Sequence, residues 1–177
     1  QEGWETKPFV EQVAGRDPRL GMILRLPEHK RVNSKASSFG PDLLATCTGY
    51  QLDKFVMAPE HETAERKDMS FNDIPVYRFA EAHLIYAEAK AELGDISQED
   101  LDISINVIRS RKSVNMPPLK LGVAVDPFMV SEKYGYPNLA KEGHDKLALI
   151  LEIRRERTIE LALEASDRWD DLRRWKE

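Results

Sequence analysis

Carboxylates that could perform acid–base catalysis are concentrated near the C-terminal end of the chain. Glu156 and Glu160 are one turn apart in a predicted helix, so they lie side by side on one charged strip. A glycoside hydrolase needs two carboxyl groups that face each other across the substrate, about 5 Å or about 6.5–9.5 Å apart, and adjacent turns of one helix do not form such a cleft. Asp170 and Asp171 are consecutive, so their side chains point about 100° apart and do not converge on one metal ion or phosphate. We therefore interpret these residues as ion-paired or solvated, not catalytic.

Other residue types with catalytic or metal-binding chemistry form no recognisable motif. The four histidines show no H-E-x-x-H spacing and have no cysteine partner, so the sequence predicts no zinc site. No G-x-S-x-G string and no glycine-rich phosphate loop occur. Cys47 is the only cysteine, which excludes an internal disulfide. We expect a protein without catalytic activity, bound metal or cofactor.

Aromatic residues in loops are the candidates for ligand binding. A sugar needs an exposed aromatic face against the apolar side of its ring, with planar polar groups for its hydroxyls. Tyr134, Tyr136 and Asn138 offer these types within a long irregular segment, and Trp4 lies in a polar stretch. The tyrosines have an alternative use, to clamp this segment onto the helices, because aromatic residues are more often buried. The sequence leaves both uses open.

The composition is that of one globular domain. A chain of 177 residues can bury roughly 70% of its unfolded surface. Nucleic-acid binding calls for a basic patch, whereas here the net charge is −5 and basic residues alternate with acidic ones. No apolar run approaches the ~18 residues of a membrane span, and no signal segment is visible. Because the chain begins at Gln1 and ends directly after a helical pattern, we expect it to be part of a longer polypeptide.

Hydrophobic periodicity and turn residues divide the chain into four regions and predict a mainly α protein. These are a loop and short-strand region (1–72), a helical hairpin (73–113), a loop excursion (114–144) and the C-terminal helices (145–177). In the first region, glycines and prolines break any long helix, so we predict short strands near residues 21–26 and 50–57. The predicted class is therefore helical hairpins with long irregular loops and a few short strands.

The helix predicted from Pro75 onward has two apolar faces. The first face carries Val76, Ala80, Leu84, Ala87 and Ala91. The opposite face carries Phe79, Ala82, Tyr86, Ala89 and Leu93. Ser97 is the predicted N-cap of a second helix. The two helices together have about the length of a tetratricopeptide unit, ~34 residues. Helices with two packing faces are typical of stacked helical hairpins.

Arg154 falls in the middle of an apolar face of the third predicted helix, which starts at about Asp145. An unpaired buried charge costs several kcal/mol, so a buried arginine needs a carboxylate. We predict a structural salt bridge, with Glu81 or Glu160 as the candidate partners.

Five strings resemble, in the same order, the signatures of the RagB/SusD family. Residues 17–20 match D-P-R-L, residues 48–55 match T-G-Y-x-x-x-K-Y/F, and residues 105–111 match I-N-x-V/I-R-x-R. Residues 75–89 match P-x-x-R-Y/F-A-E-x-x-L-x-Y-A-E-A. Residues 156–175 resemble the C-terminal signature, with E-R-x-x-E-L-x-x-E followed by R-x-x-D-L-x-R-W. Each string alone is weak evidence for the family, but five strings in the family's order are strong evidence.

This resemblance implies a SusD-like protein of the Bacteroidetes with tetratricopeptide-like hairpins. Members of this family lie on the outer face of the outer membrane, held by a lipid anchor that is not present in this chain. They bind oligosaccharides or other nutrients without altering them, in polysaccharide utilization, and their partner is a SusC-like TonB-dependent transporter. The resemblance also implies that the last helix is scaffold, docked by Trp169, Leu172 and Trp175.

The alternative function is a helical interaction scaffold without a small ligand of its own. In that case the two-faced helices exist to hold protein partners. Exposed tyrosines at 134 and 136, on a concave surface with amides or carboxylates, would favour glycan binding. Buried tyrosines and a charged hairpin surface would favour the scaffold.

Overall fold

The computed structural model describes residues 3–27, 29, 40–42, 44, 46–56, 61, 69–73, 75–133, 135–164 and 168–175. The chain divides into two compact units, Gln1–Ile74 and Pro75–Glu177. No helix in the described part of the chain is long and apolar enough to cross a membrane.

The first unit is built from short helices and turns. Its elements are the 3-10 helix Trp4–Thr6, α1 (Phe9–Val13) and α2 (Leu20–Ile23). The prediction of short strands near residues 21–26 and 50–57 is wrong, since the described residues form no strand there. The two segments do meet, at one antiparallel bridge between Leu24 and Leu52.

A local turn explains why the first of these segments is helical. The Asp17 carboxylate accepts hydrogen bonds from the backbone N–H of Arg19 at 2.9 Å and from its Nε at 3.0 Å. This turn makes Arg19 the N-cap of α2, and Pro18, whose ring fixes its φ, lies just before it. Only the residues after Ile23 have extended backbone and lie alongside the second segment.

The second unit is helical, as predicted. Its elements are α3 (Phe79–Glu92), α4 (Gln98–Asp102), α5 (Ile105–Arg109), the 3-10 helix Pro127–Val130, α6 (Pro137–Glu142), α7 (Leu147–Glu160) and α8 (Arg168–Arg174). α3 packs against α7 on one side of its hairpin and against α4 and α5 within it. The predicted N-cap is confirmed, because Ser97 and Asp100 form a reciprocal capping box at the start of α4.

α3 begins later than the sequence predicted. The periodicity predicted a start at Pro75, but Arg78 is the N-cap, with extended backbone at φ −122° and ψ 150°. Its guanidinium donates to both oxygens of Glu164, at 2.6 and 2.7 Å, and to Glu160 Oε1 at 3.1 Å. These bonds tie the residue before the helix to the end of α7, so the chain turns into the helix only at Phe79.

One of the two apolar faces of α3 is buried, and the other is exposed. The buried face consists of Ala80, Leu84, Ala87 and Ala91. It packs into a core with residues of the other helices, namely Leu101, Ile105, Ile108, Leu149, Ile150 and Ile153. The expectation that α3 packs on both sides is therefore met on one side only in the described structure.

The excursion between α5 and α6 is held by a buried amide. Asn106 donates its side-chain N–H to the backbone oxygen of Leu119 at 3.1 Å and accepts the backbone N–H of Leu119 at 2.6 Å. Both hydrogen-bonding groups of the Leu119 backbone are thus satisfied by one side chain. Leu119 itself is buried in the core, which fixes an otherwise irregular segment.

Arg154 is buried as predicted, but its predicted partners are wrong. Its Nη2 lies 3.7 Å from Glu92 Oε1, and its guanidinium lies over the Trp175 ring at 4.7 Å from the ring centroid. Glu81 instead lies 3.6 Å from Arg157 Nη2. Arg154 and Arg157 point in different directions from α7, so each reaches a different carboxylate of α3.

α8 docks through fewer aromatic residues than the resemblance implied. Trp175 is buried and Leu172 is half-buried, as expected. Trp169 is 63% exposed, so the expectation that it docks the helix is wrong. Residues on opposite sides of a short helix cannot share one core. The side of α8 that faces the core carries Asp171, and the buried Trp175 follows directly after the helix.

Candidate functional site

The carboxylates of Glu156 and Glu160 are buried and ion-paired. Glu156 is 1% exposed and accepts a hydrogen bond from Arg109 Nε at 2.9 Å. Glu160 accepts from Arg78 at 3.1 Å and from Arg111 at 2.5 Å. Each carboxylate is covered by arginine and inaccessible to a substrate, which confirms the ion-paired interpretation for Glu156 and Glu160.

Tyr136 has no open face in this structure. Its side chain is 5% exposed, and its ring meets the Trp175 ring edge-on at a centroid distance of 5.6 Å. Its hydroxyl accepts a hydrogen bond from Arg168 Nη2 at 3.0 Å, and its backbone N–H donates to the Met129 oxygen at 2.6 Å. These contacts match the alternative use of the tyrosine, as a clamp that holds the excursion against the helices.

The other three predicted ligand residues lie apart from this clamp or outside the described structure. Asn138 is exposed at the second position of α6, so it shares no open platform with the buried Tyr136. Tyr134 lies outside the described residues. Trp4 begins the 3-10 helix of the first unit, and its side chain also lies outside the description.

The first unit contains a pocket that sequence reasoning missed. Its volume is about 300 Å³, and its lining residues are Phe9, Gln12, Pro41, Thr48, Gly49 and Tyr50. Phe9 and Gln12 are one turn apart on α1, so both side chains project from the same side of this helix. The Tyr50 ring packs edge-on against the Phe9 ring, with centroids 5.6 Å apart at 74°.

A hydroxyl-bonded turn presents Tyr50 to this pocket. Thr46 Oγ1 lies 3.1 Å from Thr48 Oγ1 and donates to the Tyr50 backbone oxygen at 3.2 Å. Thr48 Oγ1 accepts the backbone N–H of Tyr50 at 3.2 Å. Gly49 has φ +78°, a left-handed conformation that side chains rarely adopt. The turn thus depends on the T-G-Y string itself.

Gln12 is held in place on both sides. Its Nε2 donates to the Lys7 backbone oxygen at 2.7 Å, and its Oε1 accepts the Tyr50 hydroxyl. Tyr50 remains 38% exposed, so part of its ring is open to solvent. The pocket therefore combines an accessible aromatic ring with a fixed amide and a threonine hydroxyl.

This chemistry suits a neutral polar ligand with an apolar side. The described residues that line the pocket offer an aromatic ring, an amide and a hydroxyl for binding, and they include no carboxylate, histidine or lysine. About 300 Å³ lies at the small end of ligand pockets, which span about 300–1,000 Å³. No group of three or more metal-ligating side chains occurs in the described part of the chain.

A sequence signal for this pocket existed. Thr48, Gly49 and Tyr50 form a turn string that ends in an aromatic residue, and Phe9 and Gln12 share a helix face. The two parts are about 40 positions apart, and nothing in their local pattern shows that they meet. Their proximity is a property of the tertiary structure.

Comparisons with known proteins agree with this architecture. The sequence matches the model of the SusD family over residues 1–177. The structure is similar to the crystal structure of a SusD-like carbohydrate-binding protein from Bacteroides fragilis, with a TM-score of 0.57 and 28% identity. The match covers 97% of this chain and 31% of that chain, so this chain spans about a third of its length. No curated protein matches the sequence.

Proposed function

The chain belongs to the SusD family, and on that premise we propose that it binds a carbohydrate without altering it. Two findings support the proposal. The similar structure is that of a SusD-like carbohydrate-binding protein, and the first unit has a pocket whose chemistry suits a sugar. A family relationship alone is a weak guide to specificity, so the pocket carries the argument.

The single observation that carries the proposal is the Phe9–Tyr50 pocket. The exposed part of the Tyr50 ring can lie against the apolar C–H side of a sugar ring. The Gln12 amide and the Thr48 hydroxyl stand beside it and can exchange hydrogen bonds with sugar hydroxyls. Because the side chains of the described lining residues are uncharged, they favour a neutral saccharide over a charged one. Few polar contacts imply modest affinity, near the millimolar to micromolar range of about −4 to −8 kcal/mol, which allows release.

We place this binding in nutrient uptake at the outer face of the outer membrane. In this proposal the protein hands its ligand to a SusC-like TonB-dependent transporter, and a lipid anchor holds it to the membrane. Modest affinity suits such a transfer, since a tightly held sugar would not be released. Asn138, Tyr134 and Trp4 remain a second set of proposed ligand residues.

The experiment is a binding screen of neutral oligosaccharides by affinity gel and calorimetry. We expect Tyr50→Ala to weaken binding at least tenfold, while Tyr77→Ala, a matched tyrosine that is 84% exposed in the second unit, has no effect. Circular dichroism checks that Tyr50→Ala is folded, and an assay for new reducing ends checks that the bound glycan stays intact. Unchanged binding by Tyr50→Ala would exclude the Phe9–Tyr50 pocket, and loss of binding in Asn138→Ala would locate the site on α6.

A second candidate function, the protein-interaction scaffold, is favoured by two observations. Tyr136 is buried, which is the outcome expected for the scaffold. An apolar face of α3 is exposed in the described structure, as a partner-binding helix would require. The two functions are compatible, because the pocket lies in the first unit and this face lies in the second.

A further inference from the structure

The orientation of the Gln12 amide determines which groups of the Phe9–Tyr50 pocket can donate a proton to a ligand. Gln12 Nε2 lies 2.7 Å from the backbone oxygen of Lys7, and a carbonyl oxygen can only accept a hydrogen bond. The amide nitrogen therefore faces Lys7, and the amide oxygen faces the Tyr50 hydroxyl. Because an amide oxygen also only accepts, the Tyr50 hydroxyl must donate its proton to Gln12. The Tyr50 oxygen thus keeps lone pairs for a ligand, while its proton is used within the protein.

The threonine hydroxyls are oriented by the same reasoning. Thr46 Oγ1 lies 3.2 Å from the Tyr50 backbone oxygen, to which it can only donate. Because the Thr46 proton is used in this bond, the 3.1 Å contact between the two hydroxyls requires that Thr48 donates to Thr46. Thr48 Oγ1 in turn accepts the Tyr50 backbone N–H at 3.2 Å. The Thr48 oxygen therefore keeps one lone pair for a ligand, and its proton is used inside the turn.

The pocket consequently presents more acceptors than donors to a ligand. Tyr50 Oη and Thr48 Oγ1 both act as acceptors, and Gln12 Oε1 has a second lone pair. Among the described lining residues, the second N–H of Gln12 is the one side-chain donor that is not used within the protein. A ligand group that donates hydrogen bonds is stabilised in such surroundings, whereas a group that only accepts leaves its own polar atoms and those of the pocket unsatisfied.

We propose that this pocket selects unmodified saccharides through the protons of their hydroxyl groups. The inference rests on the proposed function and adds the chemistry that discriminates between sugars. A free hydroxyl can rotate to donate to Tyr50 Oη or Thr48 Oγ1, while the neighbouring C–H groups lie against the Tyr50 ring. An O-methyl ether, an ester or a carboxylate has no proton to donate at that place and binds weakly. Tyr50 and Thr48 thus determine specificity, and Gln12 and Thr46 fix the direction of their two protons.

The test uses the methyl glycosides of glucose, mannose and galactose, with their monodeoxy and monodeoxyfluoro analogues. Fluorine accepts a weak hydrogen bond but donates none, so both kinds of analogue lack the donor at the replaced position. At the position that contacts the pocket, we expect both analogues to bind about three- to tenfold more weakly than the parent glycoside. NMR titration and calorimetry measure these affinities.

Tyr50→Phe tests the role of the Tyr50 oxygen. This variant keeps the aromatic ring and removes only the hydroxyl, so we expect it to bind the parent glycoside about three- to tenfold more weakly than the wild type does. It should bind the parent and the deoxy analogue equally, because the sugar hydroxyl that donated to Tyr50 has lost its acceptor. Tyr77→Phe, at an exposed tyrosine of the second unit, is the control and should bind every probe as the wild type does.

Two outcomes would overturn the inference, and they differ in what they mean for the proposed function. In the first, the glycosides bind to the wild type and not to Tyr50→Ala, but every deoxyfluoro analogue binds as well as its parent. The pocket then binds carbohydrate, and the direction of the hydrogen bonds is wrong. In the second, no glycoside binds to the wild type. The Phe9–Tyr50 pocket is then not a carbohydrate site, and the proposed function loses its main support together with this inference.

Discussion

Trp175 donates its indole N–H to Glu88 Oε1 over 2.6 Å, although 87 positions separate the two residues. Arg174 donates to both oxygens of the same carboxylate, at 2.7 and 3.0 Å. Glu88 and Trp175 are both buried. The Glu88 carboxylate in α3 therefore binds both Arg174, the last residue of α8, and Trp175 directly after it. Glu88 is thus the anchor of the last helix.

Glu88→Ala should detach this anchor. The buried Trp175 N–H loses its acceptor and the Arg174 charge loses its partner, so we expect a loss of about 3 kcal/mol in the free energy of unfolding. Glu88→Gln keeps an acceptor for the indole and should cost about 1 kcal/mol. Urea unfolding followed by tryptophan fluorescence measures both. Glu142→Ala, an exposed glutamate at the end of α6, is the control and should stay within about 0.5 kcal/mol.

Glu152 and Glu156 should respond differently to the same substitution. Burial raises the pKa of the Glu152 carboxyl above its usual value, against the lowering effect of Arg155 and Arg109. Glu152 pairs with the half-buried Arg155 at 2.9 Å, whereas the more deeply buried Glu156 accepts a hydrogen bond from Arg109 at 2.9 Å. We expect Glu156→Gln to cost about 2 kcal/mol at pH 7, and Glu152→Gln to cost less than about 0.5 kcal/mol or to stabilise.

The pH dependence of Glu152→Gln has a defined sign. A raised pKa means that the folded state holds the proton more tightly than the unfolded state. The loss of folding stability caused by ionising Glu152 is therefore absent below the unfolded pKa of about 4.5, and it develops as pH rises through the folded value. Unfolding curves at pH 4 to 7 should show a smaller loss of stability with rising pH in the variant than in the wild type. Parallel curves would contradict this.

Asp100 should titrate far below an ordinary aspartate. Hydrogen bonds from the Tyr86 hydroxyl and from Ser97 hold the pKa of Asp100 at about 2, against its usual 3.8. A lowered pKa stabilises the fold above the unfolded value, and that stabilisation is lost as pH falls through the folded value. Tyr86→Phe should raise the pKa of Asp100, measured by carboxyl NMR. The destabilising effect of Tyr86→Phe should be complete above about pH 4 and vanish near pH 2. Tyr77→Phe, at an exposed tyrosine, is the control. An unchanged titration of Asp100 in Tyr86→Phe would show that the tyrosine is not its main partner.

Gly135→Ala should disturb the seat of Tyr136. A Cβ at Gly135 would collide with the Met129 backbone and lie 2.6 Å from the Ser131 nitrogen. Backbone hydrogen bonds hold this turn, with Gly135 donating to Ser131 at 2.9 Å, so the clash cannot relax cheaply. We expect a loss of about 1–3 kcal/mol and faster hydrogen exchange at the Tyr136 amide.

Gly122→Ala is the matched control for this prediction. Gly122 lies in the same excursion, and a Cβ there meets nothing within 4 Å. We expect its melting temperature to equal that of the wild type. Equal melting temperatures for both alanine variants would show that the Gly135 turn can open without cost.

The sequence by itself determined the family and the helical class, and it placed Leu84, Ala87 and Ala91 together on one apolar face of α3. Five strings in the family's order identified the family, and a 3.6-residue period predicted the burial of Leu84, Ala87 and Ala91. The Ser97 capping box was also readable, because cap chemistry is local and needs only four consecutive residues. These features depend on residues that are close in sequence, so the sequence is sufficient to predict them.

Only the tertiary structure decided which distant residues meet. It paired Arg154 with Glu92 and Trp175, turned Tyr136 inward, and brought Phe9 and Gln12 to Tyr50 to form the pocket. Periodicity shows which side of a helix is able to be buried, but it does not identify the element that buries it. This is why the sequence predicts that the second apolar face of α3 is a packing surface, although this face is exposed in the described structure. Long-range contacts depend on the path of the whole chain, and no local pattern encodes that path.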